Sequence, residues 1–206
     1  MSNPAYQAAR SAQAREKILN AALALFVERG YDVISLKDIA AAADVSTATL
    51  FKHFPQKDAL LNGATDLLAA MRDEGAQGED LTIKPLDEAL RIIGLSYARR
   101  LDHPMLLGLA RLGVTLGDRV PGLGEAVNEA WRKPFATRLE VVLEGAIKSK
   151  IVLIPDMTVA IRQFFGLITD ALLWRRLLNL GGPADPTYRA AVVEEAIKTF
   201  LKRYSL

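Results

Sequence analysis

Hydroxyls and cations crowd into one stretch of this sequence, between Ser35 and Lys57, and they are donors rather than catalysts. Ser35, Lys37, Ser46, Thr47, Thr49, Lys52, His53 and Lys57 offer hydroxyl, ammonium and imidazole groups, with Ala48 and Phe51 set among them. Groups of this kind donate hydrogen bonds to phosphate oxygens and base edges when a short helix carries them into the major groove. Thr47, Ala48 and Thr49 are small enough to bring such a helix close to the bases, and the cations flank them. Lys57 lies in the first turn of the helix after Pro55, where a lysine opposes the macrodipole. Its position makes sense if that helix terminus grips a phosphate; plain solvation is the other reading.

Other chemistries find little material. His53 and His103 are the two histidines, and cysteine is absent, so neither a disulfide nor a thiolate metal site nor a cysteine nucleophile is available. No His-x-x-x-His or Glu-x-x-His pair and no glycine-rich phosphate loop occurs. Glu140 and Glu144 share a helix face without a histidine and read as a solvated surface. No metal and no cofactor is expected. A small helical enzyme is therefore a weak alternative, and a helical interaction module that has lost nucleic-acid binding is a second one.

Of the 206 residues, 50% are hydrophobic and 24% charged, the balance of a folded chain. The net charge is +2, and Met1–Asn62 holds seven basic against six acidic residues. Placement of charge, not its sum, must carry a nucleic-acid reading. The first residues lack a basic segment followed by an apolar one, and no apolar run has membrane-spanning length. A cytoplasmic location without a membrane partner is expected.

The elements that must position these groups are helical. Ile18, Ala21, Ala22, Leu25 and Phe26 form an amphipathic stripe within Ser11–Gly30, which Gly30 terminates. Ser35 and Asp38 predict an N-cap with an acid three residues on, opening a short second helix. Ser46 can cap a third, and a fourth follows Pro55 through Leu60, Ala64 and Leu68. Ala40 is the small residue where two short helices cross, Asp44 the turn, and Ile39, Val45 and Leu50 the apolar clamp of a helix-turn-helix. Residues 74–84 read as a linker. Pro85 and Pro104 start further helices, Pro134 kinks or restarts a long pattern over 125–149, and Gly181-Gly182-Pro183 separates two last helices over 157–180 and 186–204.

On these residues the chain from about Ile18 to Leu61 resembles the N-terminal domain of the TetR family: Ala21-Ala-Leu-Ala-Leu-Phe26, Gly30-Tyr31, Ser35-Leu-Lys-Asp-Ile-Ala40, Val45-Ser46, and Thr49-Leu-Phe-Lys-His-Phe54 with Lys57. The second half resembles AcrR-like members more loosely, in Arg119-Val-Pro-Gly-Leu123 and Ala160-Ile-Arg-Gln-Phe-Phe-Gly-Leu167. The resemblance implies an all-α fold, with a flexible arm over 1–14, a helix-turn-helix DNA-binding domain over 15–62 and a larger ligand-binding and dimerisation domain over 63–206. It implies a transcriptional regulator: a repressor that binds a palindromic double-stranded operator as a homodimer and is released by a ligand. Asp44 departs from the usual turn glycine, and Phe51 stands where tyrosine is common.

In the second half, Ile161, Phe164, Phe165, Ile168 and Leu172 form one apolar stripe, and Leu167, Ala171, Trp174 and Leu178 another. One face cannot bury both, so a second subunit is expected, with Phe164, Ile168, Leu172, Val193, Ile197, Phe200 and Leu201 at its interface. Tyr97, Met105, Leu109, Arg111, Leu112, Trp131, Phe135 and Leu139, with His103 nearby, suit a pocket for a hydrophobic or amphipathic effector. The plainer reading makes most of them domain core.

Overall fold

Helix-forming sequence runs through nearly the whole chain, and the computed structural model, which describes residues 4–70 and 79–206, is all-helical. The helices are α1 (Pro4–Arg29), α2 (Leu36–Ala42), α3 (Thr47–His53), α4 (Lys57–Ala70), α5 (Leu86–Leu101), α6 (Pro104–Leu116), α7 (Leu123–Trp131), α8 (Lys133–Lys148), α9 (Met157–Leu177) and α10 (Pro186–Tyr204). Residues 71–78, including the first part of the expected linker over 74–84, lie outside the described residues, and within the linker's remainder Leu81–Ile83 forms a short 3-10 helix capped by Asp80. Pro134 restarts the chain as α8 instead of kinking a longer helix. No described helix is long and apolar enough to cross a membrane.

The chain divides into two compact units: residues 1–71 with 108–130, and residues 72–107 with 131–206. In the first, α1 buries Ile18, Leu19, Ala22, Leu23 and Phe26, and α4 buries Leu60, Leu61 and Ala64. Each of the leucine, isoleucine and phenylalanine side chains among them contributes roughly 1.5–3 kcal/mol when fully removed from water. Gly63 lets α4 close on α1, because a Cβ there would lie 2.9 Å from Leu19 Cδ2 and 3.0 Å from Phe54. Residues 4–14, expected as an arm, are helical. Pro4 is tolerated in a first turn, and the alanine-, glutamine- and arginine-rich run after it has high helix propensity.

The expected boundary at 62/63 falls inside α4. Residues 108–130 belong with the first unit because Val27 of α1 packs on Gly108, where any Cβ would collide with it. Arg119 also forms a two-pronged pair with Asp32, at 2.9 and 2.7 Å.

The second unit packs α5, α8, α9 and α10 around linked rings. Tyr97 lies 4.5 Å from Phe165 and 5.4 Å from Phe135, and Phe164 lies 5.5 Å from Phe200. Asp102, at the C-terminus of α5, receives Arg176 of α9 at 3.2 Å and Arg189 of α10 at 2.5 Å, so one carboxylate ties three helices. Leu153 N–H donates to the Tyr204 carbonyl at 2.8 Å, beside an isolated bridge between Val152 and Ser205.

This core corrects the expected subunit interface. Phe164, Ile168, Leu172, Val193, Ile197 and Phe200 are all buried within the single chain, and Leu201 is half-buried. Gly94 on α5 lets that helix close on Val193 of α10, which a Cβ there would meet at 2.8 Å. A side chain already covered by its own chain has no face left for a second one. The exposed stripe is the other one, with Leu167, Trp174 and Leu178 at 42, 53 and 63% exposure, joined by Val159 and by Tyr188 of α10.

Candidate nucleic-acid interface

Local hydrogen bonding fixes the helix pair. Ser35 Oγ accepts the Asp38 N–H at 3.2 Å, and Asp38 Oδ2 accepts the Ser35 N–H at 2.8 Å, closing a capping box at the head of α2. The Ser35 hydroxyl, which donates to Asp38 Oδ2 at 2.6 Å, and then the Ser35 N–H hold the Asp38 carboxyl below its usual range. Asp44 takes a positive φ of 54°, and Val45 N–H reaches back to the Ala40 carbonyl at 3.0 Å. An aspartate thus performs the left-handed turn that glycine usually makes. Ser46 caps α3 by accepting the Thr49 N–H at 3.1 Å, and its hydroxyl also pairs with that of Thr49 at 2.8 Å.

Ile39, Ala40 and Leu50 are buried where α2 and α3 cross, and Phe54 closes the pair against α1, with the Arg15 guanidinium 5.4 Å from its ring. With one side of α3 anchored by Leu50, Thr47, Ala48, Phe51 and Lys52 are left exposed, as is Lys37 on α2. His53 is half-buried. Ser35, Ser46 and Thr49 serve as caps and local partners, and of these Ser35 and Ser46 are exposed and Thr49 is half-buried.

Lys57 is the clear correction. Its ammonium donates to the carbonyls of Tyr31 and Ile34, both at 2.7 Å, and of Asp32 at 3.4 Å, and lies 4.6 Å from the Tyr31 ring. A lysine has three donors, and all three are taken by the turn between α1 and α2. The residue staples that turn to the start of α4 and has no donor left for a phosphate. Tyr31, Asp58, Asp32 and Arg119 complete the staple and were not singled out from the sequence as site residues. The Tyr31 hydroxyl donates to Asp58, and its burial, with that bond, holds the phenol far above its ordinary range. Arg119 keeps the Asp32 carboxyl below its ordinary range. The acid next to Lys57 in the same turn was the available signal.

The expected effector residues divide between the units. Leu109 and Leu112 are buried in the first, where Arg111 is half-buried; Tyr97, Phe135 and Leu139 are buried in the second. The Met105 side chain lies outside the described residues. Within the second unit Trp131 Nε1 donates to the Tyr97 hydroxyl at 3.1 Å, and that hydroxyl pairs with Thr169 at 2.8 Å. A polar knot therefore sits inside an aromatic wall.

A capped helix pair with an exposed, small-residue recognition face, carried on a helical platform, defines a helix-turn-helix DNA-binding protein. Comparison with known proteins narrows this. Residues 18–64 match the family model described as bacterial regulatory proteins, tetR family, and residues 88–206 match the C-terminal domain of AefR-like transcriptional repressors. The chain belongs to the TetR family of bacterial transcriptional regulators, with an AefR-like C-terminal domain. It is 44% identical over 88 residues to the uncharacterized HTH-type transcriptional regulator YvkB of Bacillus subtilis, covering 43% of this chain and 45% of YvkB. It is 42% identical over 50 residues to the HTH-type transcriptional repressor KstR of Rhodococcus jostii, covering 24% of each. Over these matches the chain spans less than half the length of either relative. Among solved structures, the flavonoid-responsive regulator FrrA superposes with a TM-score of 0.75 at 26% identity, covering 94% of this chain and 98% of that one.

Proposed function

We propose that this chain acts as a homodimeric repressor, binding a roughly palindromic double-stranded operator and released from it by a small hydrophobic or amphipathic ligand. The observation that carries the reading is the outward face of α3, where Thr47, Ala48, Phe51 and Lys52 stand exposed on a helix whose N-terminus Ser46 caps. Thr47 and Ala48 read bases, while Lys52, Lys37 and the half-buried His53 meet phosphates. Selection of bound sequences from random duplexes tests this. The wild-type protein should enrich two half-sites with centres ~34–36 Å apart, or a multiple of that spacing. Ala48→Leu should change or abolish the enriched sequence while thermal unfolding stays the same. An unchanged sequence would move the reading surface away from α3.

The dimer reading rests on the exposed stripe Leu167 and Trp174 on α9 and Leu178 just after it, with Tyr188 on α10. An apolar row of this length on a soluble helix needs a cover, and a second copy supplies the two-fold that a palindrome requires. The effector reading rests on the Tyr97, Trp131 and Thr169 knot among Phe135 and Phe165. Aromatic walls with a few polar handles suit a ring-bearing ligand, and FrrA is by name a flavonoid-responsive regulator. Flavonoids are the first probes. By linkage, a flavonoid that weakens operator binding must itself bind more weakly to the operator complex by the same factor.

A further inference from the structure

Gln7, Arg10, Ala14 and Lys17 recur at intervals of three, four and three residues, so a helix over this stretch aligns them on one face. Because α1 begins at Pro4, that face exists. It forms one wall of a groove of about 670 Å³ whose other wall is the reading pair: Thr49, Lys52 and His53 of α3 and its cap Ser46, with Asp44 at the turn. Cations thus face the groove from two helices. Arg10 and Lys17 are exposed, and among the described residues neither forms an ion pair. Asp44 is the acid in the lining, placed at the turn and not among the cations.

Arg10 and Lys17 are seven residues apart, roughly 10 Å along a helix. One DNA strand advances about 3.4 Å per phosphate along its axis, so this separation spans about three phosphates. The groove also lies alongside the helix that would enter the major groove, where a sugar–phosphate strand must pass. We propose that this groove takes the phosphodiester strand bordering the α3 contact, and that Arg10 and Lys17 are phosphate-binding residues of the operator complex. The inference rests on the operator reading and adds residues from α1 to it.

The test is a salt titration of binding to the selected operator, comparing wild type with Arg10→Ala/Lys17→Ala and with Lys198→Ala, an exposed lysine of α10. Each lost phosphate contact reduces the slope of log affinity against log salt by about 0.9. Two contacts per subunit predict a slope shallower by nearly four units in the dimer, or about a hundredfold less affinity lost between 50 and 200 mM salt. The selected base sequence should not change, and ethylation interference at phosphates flanking the α3 contact should vanish in the double variant alone. Alanine favours helix, so α1 should persist; if helicity measured by circular dichroism falls, Arg10→Gln/Lys17→Gln replaces it. A wild-type slope in a folded double variant would overturn the proposal while leaving the operator reading intact. A wild-type protein that binds no duplex would overturn both.

Discussion

Helices α3 and α9 pose the same question, which face turns inward, and answer it with different clarity. In α3 Leu50 is the fully buried residue and both ends are tied by local hydrogen bonds, so the inward side is fixed and the outward side is what remains. In α9 two apolar stripes compete for the interior, and the one that the chain's own core buries is Phe164, Phe165, Ile168 and Leu172. Spacing tells which residues share a face; an inward direction needs a polar opposite face or a partner of matching shape. That contrast holds for the cations too. Lys52 and Lys57 are alike in sequence, but one is exposed and the other is consumed by carbonyls.

The largest effect should come from breaking the inner stripe of α9. Phe164→Ala leaves a cavity among Phe165, Phe200 and α5 and should cost about 3–5 kcal/mol in urea unfolding. Trp174→Ala on the outer stripe should change the stability of the dilute protein by less than about 0.5 kcal/mol, while sedimentation shows a weaker dimer. Equal losses from the two changes would erase the distinction between the stripes. Next in size is Lys57→Met, which strands three carbonyls and should cost about 1–3 kcal/mol with no change in the salt slope of DNA binding. Lys52→Ala should do the reverse, keeping stability and lowering the slope by about 0.9 per subunit. A slope change with Lys57→Met would return that residue to the phosphate contacts.

Asp44→Gly removes a side chain from a left-handed residue and should raise stability by about 0.5–1 kcal/mol, since the strain relieved outweighs the extra chain entropy. A lower melting temperature would show that the Asp44 side chain supports the turn. The smallest effect is a pH dependence at His103. Burial, with Arg100 nearby, holds its imidazole below the ordinary value. The unfolded chain therefore takes up a proton first as pH falls through 6.5, and the folded state loses stability from there down to the lowered folded value. His103→Gln should flatten that part of the stability profile relative to wild type; parallel profiles would show that His103 titrates alike in both states.

Where the sequence was legible, its signals were local. Ser35 with Asp38, Gly30 after α1, Asp44 at the turn and Ser46 at the head of α3 all act within four residues, and side-chain chemistry marks each one. The staple was not legible, because the partners of Lys57 are main-chain carbonyls 23 to 26 residues earlier, and a carbonyl carries no residue-specific mark. Arg119 and Asp32 are separated by 87 residues. The same holds for the helical start at Pro4: propensity was present, but nothing in the local pattern required α3 to face it across a groove.

The placement of residues 108–130 beside α1 has a consequence for how such regulators can be shuffled. A recombination joining residues 1–62 to the body of another regulator would transfer every base-reading side chain proposed above. It would also leave Val27 without Gly108 and Asp32 without Arg119. The DNA-reading head is thus inherited as two separate stretches of coding sequence. A hybrid gene built from the first stretch alone must find its own substitute for the second before its head is held as firmly.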